Sequence, residues 1–223
     1  MRKNLINYFK IAIYLSVLVG FNGAHAGSFE DFFSAIKRDD PSAVQKILAR
    51  GFDPNTTDPD GQHGLYLALQ EPSLKAAQVL IDWRGTNFNR LNAKGESPLM
   101  IAALSGLQSL AETLIQKGAD VNKTGWTPLH YAATNGHVKM ISLLLEHNAY
   151  IDAESPNGTT PLMMAAMYGT QPAVKLLLDE GADPLLKNRQ NLTALQFAQR
   201  GNRPDSIASI SAVVRSKRAT GKW

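Results

Sequence analysis

The segment "GWTPLHYAATNGH" (residues 125–137) decides the fold of this chain of 223 residues. Its central "TPLH" recurs in altered form, which gives five registers along the sequence. They are "HGLY" at 63–66, "SPLM" at 97–100, "TPLH" at 127–130, "TPLM" at 160–163 and "TALQ" at 193–196. The intervals are 34, 30, 33 and 33 residues, and a period of this size indicates stacked structural repeats rather than a catalytic motif.

Each copy predicts a pair of helices. Thr127 is expected to cap the first helix, and Pro128 suits its first position, where a missing N–H costs nothing. The pair Ala132-Ala133 allows close approach of neighbouring helices, and an apolar run such as "MISLLLEHNAYID" (140–152) forms the second helix. A left-handed residue should end each second helix; the candidates are Gly51, Gly118, Gly181 and, in the fourth copy, Asn148.

These residues resemble the ankyrin repeat over about residues 28–214, some six repeats, most closely in "TPLHYAATNGH" and "LIQKGADVN". The resemblance implies an all-α solenoid of helix–turn–helix repeats, with finger turns along one edge and the first and last repeats as caps. It also implies that another protein is bound by the concave face and the finger tips. The predicted organisation is a signal peptide at 1–26, the repeat domain at 27–214 and a basic tail at 215–223.

The resemblance assigns partner contacts to two positions in each repeat: the residue before "TPLH" and the two residues after the alanine pair. On the fingers these residues are Glu96, Trp126, Thr159 and Leu192. On the first helices they are Leu104, Ser105, Thr134, Asn135, Met167 and Tyr168. Only "KTGW" separates Asn122 from Thr127, which predicts a shortened finger that brings Trp126 to the binding surface.

The histidines of the repeats are given structural roles. The resemblance implies a local hydrogen bond between His130 and Thr127, and we expect His137 to cap the second helix and His147 to lie in its last turn. These three residues lack the close spacing of metal ligands. We therefore predict no catalytic, cofactor-binding or metal-binding residues, no cofactor and no enzyme activity.

The charges are unevenly distributed. Residues 27–199 carry 14 basic and 18 acidic side chains, whereas residues from 200 onward carry six basic side chains and one acidic. A mildly acidic repeat domain does not have the charge pattern expected of a protein that binds nucleic acid. The basic tail is either a frayed, solvated end or a weak contact for an anionic surface.

The N-terminus has the pattern of an export signal. A basic region is followed by an apolar run of 11 residues, "IAIYLSVLVGF" (11–21), and then by small residues at 24 and 26. This pattern predicts cleavage between Ala26 and Gly27. The alternative is an uncleaved anchor, although 11 residues are fewer than the roughly 20 of a membrane span.

Together these features predict a monomeric, non-catalytic module that is exported to the periplasm, or alternatively secreted, and that binds a protein partner. Three roles remain open: an adaptor or protective partner of another exported protein, an immunity protein that neutralises a toxin, and a secreted effector that binds a host protein.

Overall fold

The computed structural model describes residues 27–71 and 73–220, with side chains up to residue 217. The predicted signal peptide, which ends with Ala26 at the predicted cleavage site, lies outside the described residues. Gly27 is the first described residue. The described residues divide into two compact units: unit 1 comprises residues 27–59, 63–71 and 73–85, and unit 2 comprises residues 60–62 and 86–220. Among the described residues, no helix combines the length and apolar character needed to cross a membrane.

Unit 1 contains two helical pairs. Its helices are α1 (27–37), α2 (Pro41–Ala49), α3 (Gly64–Gln70) and α4 (Leu74–Asp82). Phe32 and Ile36 of α1 are fully buried. A Cβ atom at Gly64 would come within 2.8 Å of both side chains. This close approach explains why "HGLY" has a glycine at the position that proline takes in three other copies.

Unit 2 contains four helical pairs. Its helices are α5 (Pro98–Leu104), α6 (Gln108–Gln116), α7 (Pro128–Asn135), α8 (Val138–Glu146), α9 (Pro161–Met167), α10 (Gln171–Asp179), α11 (Ala194–Arg200) and α12 (Pro204–Thr220). The first helices α5, α7, α9 and α11 contact one another in that order, and the second helices α6, α8, α10 and α12 do the same. The two sets form two layers, as stacked helix–turn–helix repeats require.

The helix ends follow the sequence prediction. Thr127 and Thr160 are N-cap residues, and a proline follows each at the first helical position. The residues predicted to end the second helices all have positive φ: Gly51 at 91°, Gly118 at 94°, Gly181 at 98° and Asn148 at 62°. The predicted N-cap position of Thr127 and the predicted helix-ending residues are therefore confirmed.

Small residues bring the first helices together. The alanines at 132, 133, 165 and 166 are fully buried. A Cβ atom at Gly169 would meet the carbonyl oxygen of Ala133 and would lie 2.9 Å from the Cα of Ala165. The ends of α7 and α9 therefore approach so closely that even a methyl group has no room.

Asparagine side chains connect successive repeats of unit 2. The Asn89 Nδ2 donates to the Gly118 carbonyl (3.1 Å), while its Oδ1 accepts from the Asp120 N–H (2.7 Å). Asn122 makes the same two bonds with the carbonyl of Asn148 and the N–H of Tyr150. We call this arrangement the asparagine clamp; it joins the loop of one repeat to the loop of the next.

The C-terminal helix is longer than the sequence predicts. Helix α12 has 17 residues and ends at Thr220, so the basic segment predicted as a tail begins within this helix. The Lys217 ammonium lies 4.0 Å from the Asp183 carboxylate. The guanidinium of Arg203 donates to the carbonyls of Met167 and Tyr168. These contacts attach the last helical pair to the preceding repeat.

Candidate functional site

The finger at residues 123–126, the third counted from the N-terminus, is shortened. It is the distinctive local feature of unit 2. In the second, fourth and fifth fingers, the N–H of one residue donates to the carbonyl four residues later: Asn92 to Glu96, Ser155 to Thr159 and Asn188 to Leu192, each at 3.0 Å. The third finger is closed differently, because the Lys123 ammonium donates to the carbonyls of Thr124 and Trp126. The predicted shortening is thus visible as a different mode of closure.

An open pocket lies beside this finger. It has a volume of about 220 Å³ and is lined by Leu104, Trp126, Tyr131, Thr134 and Met164. Three of these residues, at 104, 126 and 134, are sequence-predicted contact residues that the structure brings together.

The two hydroxyl groups that line the pocket already have partners. The Thr134 hydroxyl donates to the His130 carbonyl at 2.7 Å, and the Tyr131 hydroxyl donates to the Glu96 carboxylate at 2.8 Å. The surface left to a ligand is therefore largely apolar, and a polar small molecule would find few directional contacts there. This pocket fits an apolar side chain.

His130 packs against Trp126, one of the residues that line the pocket. It is fully buried, and its ring meets the Trp126 indole edge to face with centroids 5.2 Å apart. Nε2 donates to the Thr159 carbonyl at 2.9 Å, and Nδ1 accepts from the Thr127 N–H at 3.2 Å. Burial lowers the pKa of His130 to about 4, against the smaller raising effect of its backbone hydrogen bonds. The imidazole is therefore neutral near pH 7, and its two bonds agree with the structural role that the sequence implies.

The predicted surface contacts of Thr159 and Leu192 are wrong. Thr159 is 2% exposed and Leu192 is 9% exposed. The Thr159 N–H donates to the Ser155 hydroxyl at 3.0 Å, and the Leu192 N–H donates to the Asn188 side chain at 3.0 Å. Both side chains are therefore too buried to offer a partner much surface.

The other predicted contact residues lie at the surface outside the pocket. Ser105, Asn135 and Tyr168 are exposed, and Glu96 and Met167 are half-buried. The Asn135 side chain is already used, because its Nδ2 donates to the Leu104 carbonyl at 2.7 Å. Whether these residues contact a partner stays a prediction.

The role predicted for His137 is also corrected. It occupies the N-cap position of α8, but its side chain makes no capping bond. Its Nε2 instead donates to the Leu104 carbonyl at 2.9 Å. The ring reaches that carbonyl because Gly106 has no side chain. A Cβ atom on residue 106 would lie 2.9 Å from the His137 ring. His147 is the C-cap residue of α8, one position beyond the last turn.

Sequence reasoning missed two pocket residues, Tyr131 and Met164. Both are the residue directly after the "TPLH" or "TPLM" motif, and Ile101 and Phe197 occupy the same position in their repeats. A large apolar residue at this position in all five copies, Leu67 included, was the available signal. It was overlooked because the transferred contact pattern places the contacts one turn later.

Comparisons with known proteins agree with this architecture. The family profile described as "Ankyrin repeats (3 copies)" matches residues 32–124, 73–155, 121–188 and 151–211. The putative ankyrin repeat protein YahD of Escherichia coli K12 is 30% identical over 179 residues, which cover 76% of this chain and 88% of YahD. The mouse B-cell lymphoma 3 protein homolog is 32% identical over 166 residues, but the alignment spans only 37% of that protein's length.

One solved structure carries a functional description of its own. It contains the predatory endopeptidase Bd0816 of Bdellovibrio bacteriovorus in complex with the immunity protein Bd3460. A chain of this structure matches with a TM-score of 0.71 and 28% identity over 82% of this chain and 97% of that chain. Ankyrin repeats are protein–protein interaction modules, and their fold is generally a non-catalytic scaffold. By its helical pairs, its clamps and these matches, the chain belongs to the ankyrin-repeat family.

Proposed function

We propose that this protein is a non-catalytic module that binds another protein through the pocket of unit 2 and the adjoining first-helix surface. The apolar pocket beside Trp126 is the observation that carries the proposal. Large aromatic side chains dominate interface energetics when a partner buries them. The half-buried Trp126 and Tyr131 give this pocket two such side chains in its lining.

The chemistry of His130 supports a binding role over a catalytic one. A general base works best when its pKa lies near the operating pH, whereas the pKa of His130 is about 4. Both ring nitrogens are also occupied, by Thr159 and Thr127. His130 therefore holds the repeat together and leaves the surface chemistry to apolar contact.

We further propose that the protein acts after export to the periplasm, as an adaptor or protective partner of another exported protein. The basic start, the apolar run of 11 residues and the small residues at positions 24 and 26 support this destination. An immunity protein that neutralises a toxin is the second candidate. The match to a structure that contains an immunity protein bound to an endopeptidase supports that candidate.

The binding proposal is tested by truncating the pocket. Trp126→Ala and Met164→Ala should each weaken partner binding about thirty-fold, because a truncated hot-spot residue costs about 2 kcal/mol. The partner is first identified by affinity purification of the tagged protein from periplasmic extract. Its Kd for the purified variants is then measured by calorimetry.

Tyr150→Ala serves as the matched control, because this tyrosine is 69% exposed and lies outside the pocket. Thermal unfolding of each variant shows whether the repeat remains folded. An unchanged Kd for the folded Trp126→Ala protein would contradict the proposed site.

The two candidate roles differ in what happens to the partner. If the partner is an enzyme or toxin, its activity is assayed with and without one equivalent of this protein. Inhibition supports the immunity role, whereas preserved activity together with altered stability or location supports the adaptor role.

A further inference from the structure

The finger turns of unit 2 carry an excess of positive charge. These turns are residues 90–96, 123–126, 154–159 and 187–192. Their basic side chains are Arg90, Lys94, Lys123, Lys187 and Arg189, and their acidic side chains are Glu96 and Glu154. This sign is local, because residues 27–199 as a whole contain more acidic than basic side chains, 18 against 14.

One of the two acidic groups already accepts hydrogen bonds from neutral side chains. The Glu96 carboxylate accepts from the Tyr131 hydroxyl at 2.8 Å and from the Asn92 side chain at 2.9 Å. Lys94, Lys187 and Arg189 are exposed, and no ion pair among the described residues includes any of them. Lys94, Lys187 and Arg189 therefore present positive charge that no ion pair among the described residues neutralises.

Two of the finger cations, Lys123 and Lys94, belong to turns that are connected to pocket residues, whereas Arg189 lies in a later turn, where its N–H donates to the Asn157 carbonyl at 2.9 Å. The Lys123 ammonium is 3.2 Å from the carbonyl of Trp126, a pocket residue. Lys94 belongs to the turn that Glu96 connects to Tyr131, another pocket residue. At about 220 Å³, the pocket is smaller than the 300–1,000 Å³ typical of ligand or cofactor sites. Its size suits a single large side chain of a protein.

We propose that unit 2 binds an acidic protein segment, in which one large apolar side chain fills the pocket and neighbouring Asp or Glu residues face Lys94, Lys123 and Arg189. This inference rests on the proposed function and specifies the chemistry of its partner. The apolar anchor supplies most of the affinity, and the charges select the segment and accelerate its encounter. Exposed ion pairs are individually weak and screened by salt, so binding should weaken as ionic strength rises.

A peptide selection tests the charge and the anchor together. A phage library of random 12-residue peptides is selected against the full chain, purified from expressing cells. We expect enriched peptides to have net negative charge and one Phe, Trp, Leu or Met flanked by Asp or Glu. The triple variant Lys94→Glu, Lys187→Glu and Arg189→Glu should bind the enriched peptides about tenfold more weakly, since each reversed charge contributes a modest penalty.

Two controls separate this effect from general electrostatics and from loss of the fold. The triple variant Lys37→Glu, Lys46→Glu and Lys139→Glu makes the same change in net charge at exposed positions outside the finger turns, and it should bind the peptides within about twofold of the wild type. Trp126→Ala should lose the preference for an apolar anchor while retaining weak, salt-sensitive binding of acidic peptides.

Three results would overturn the inference: enrichment of apolar peptides without acidic residues, equal weakening by both triple variants, and failure to enrich any peptide. A random single-stranded DNA that displaces the peptides with higher affinity would also overturn it, in favour of a nucleic-acid site. The proposed function is tested separately, by whether the wild-type protein recovers a protein partner and whether Trp126→Ala loses that partner. None of the results above decides that test, so the proposed function can stand when this inference fails.

Discussion

Asp152 is the residue at which the repeat pattern changes its chemistry. It occupies the position that Asn89 and Asn122 hold in the preceding clamps, and its carboxylate accepts from the Asp183 N–H at 3.1 Å. A carboxylate has no N–H to offer the Gly181 carbonyl, which corresponds to the Gly118 carbonyl in the Asn89 clamp. Burial raises the pKa of Asp152, and the nearby Asp183 charge adds to this effect. One half of the clamp is therefore missing here.

Asp152→Asn should stabilise the protein by about 1 kcal/mol near neutral pH, because it supplies the missing hydrogen bond. The gain should also depend on pH. Because the folded state holds the Asp152 proton more tightly than the unfolded chain, the wild-type contribution is favourable at low pH. It is lost as the pH rises from the ordinary aspartate pKa of 3.8 through the raised value. The variant lacks this loss, so its advantage should grow with pH.

Urea unfolding of both proteins at several pH values between about 3.5 and 7 measures this difference. Asp120→Asn is the matched control, since Asp120 is exposed and only its backbone N–H takes part in a clamp. A variant no more stable than wild type at pH 7 would show that the Gly181 carbonyl is equally well satisfied by water.

At the scale of helices, the contact between α7 and α9 depends on the absence of side-chain atoms. Gly169 is buried at the end of α9, against the backbone of Ala133 and Ala165. The obstructing atoms belong to backbone, which cannot move aside as the end of a flexible side chain can. The pairing of the first helices is therefore most sensitive to added volume at this position.

Gly169→Ala should destabilise the protein by about 2 to 3 kcal/mol, because the new methyl group forces α7 and α9 apart. Gly27→Ala is the contrasting substitution: a Cβ there meets nothing within 4 Å, and alanine favours a helix over glycine by roughly 0.5–1 kcal/mol. The midpoint of urea unfolding should fall for the first variant and stay level or rise for the second. Equal midpoints for Gly169→Ala and wild type would contradict the close approach.

The helical pairs and their ends could be predicted from the sequence, because local chemistry determines them. Thr127 and Pro128 start a helix wherever the chain places them, and Gly118 or Asn148 ends one at little cost in strain. The surface of the site was less predictable. Thr159 and Leu192 occupy the same register as Trp126, yet their side chains are buried. Glu96 shares this register and its finger closes through the same backbone bond, but Glu96 is half-buried. Side-chain exposure therefore depends on each side chain and its local contacts, which register alone does not specify.

For the molecule as a whole, the distribution of charge separates three parts of the chain. The first 26 residues contain three basic side chains and no acidic ones, the middle is mildly acidic and the end is basic. The proposed export assigns the first part to targeting and leaves the repeats to bind. The chain has no cysteine, so its stability in an oxidising compartment would come from packing and hydrogen bonds without disulfides.

The proposed export predicts a processed protein that begins at Gly27. Expression of the full chain in a Gram-negative host should give a periplasmic product whose intact mass corresponds to residues 27–223. Deletion of residues 2–26 should leave the protein in the cytoplasm, and Ala26→Pro should block processing while permitting synthesis. Recovery of an unprocessed chain in the membrane fraction would instead support the anchor alternative.

The direction of the asparagine clamp has a consequence for synthesis. Each clamping side chain belongs to the earlier repeat and reaches towards the backbone of the later one, as Asn89 does with Gly118 and Asp120. A ribosome releases the N-terminal part of a chain first. The clamping side chain is therefore already synthesised when the loop that it binds emerges. The stack can lengthen one repeat at a time without waiting for the end of translation.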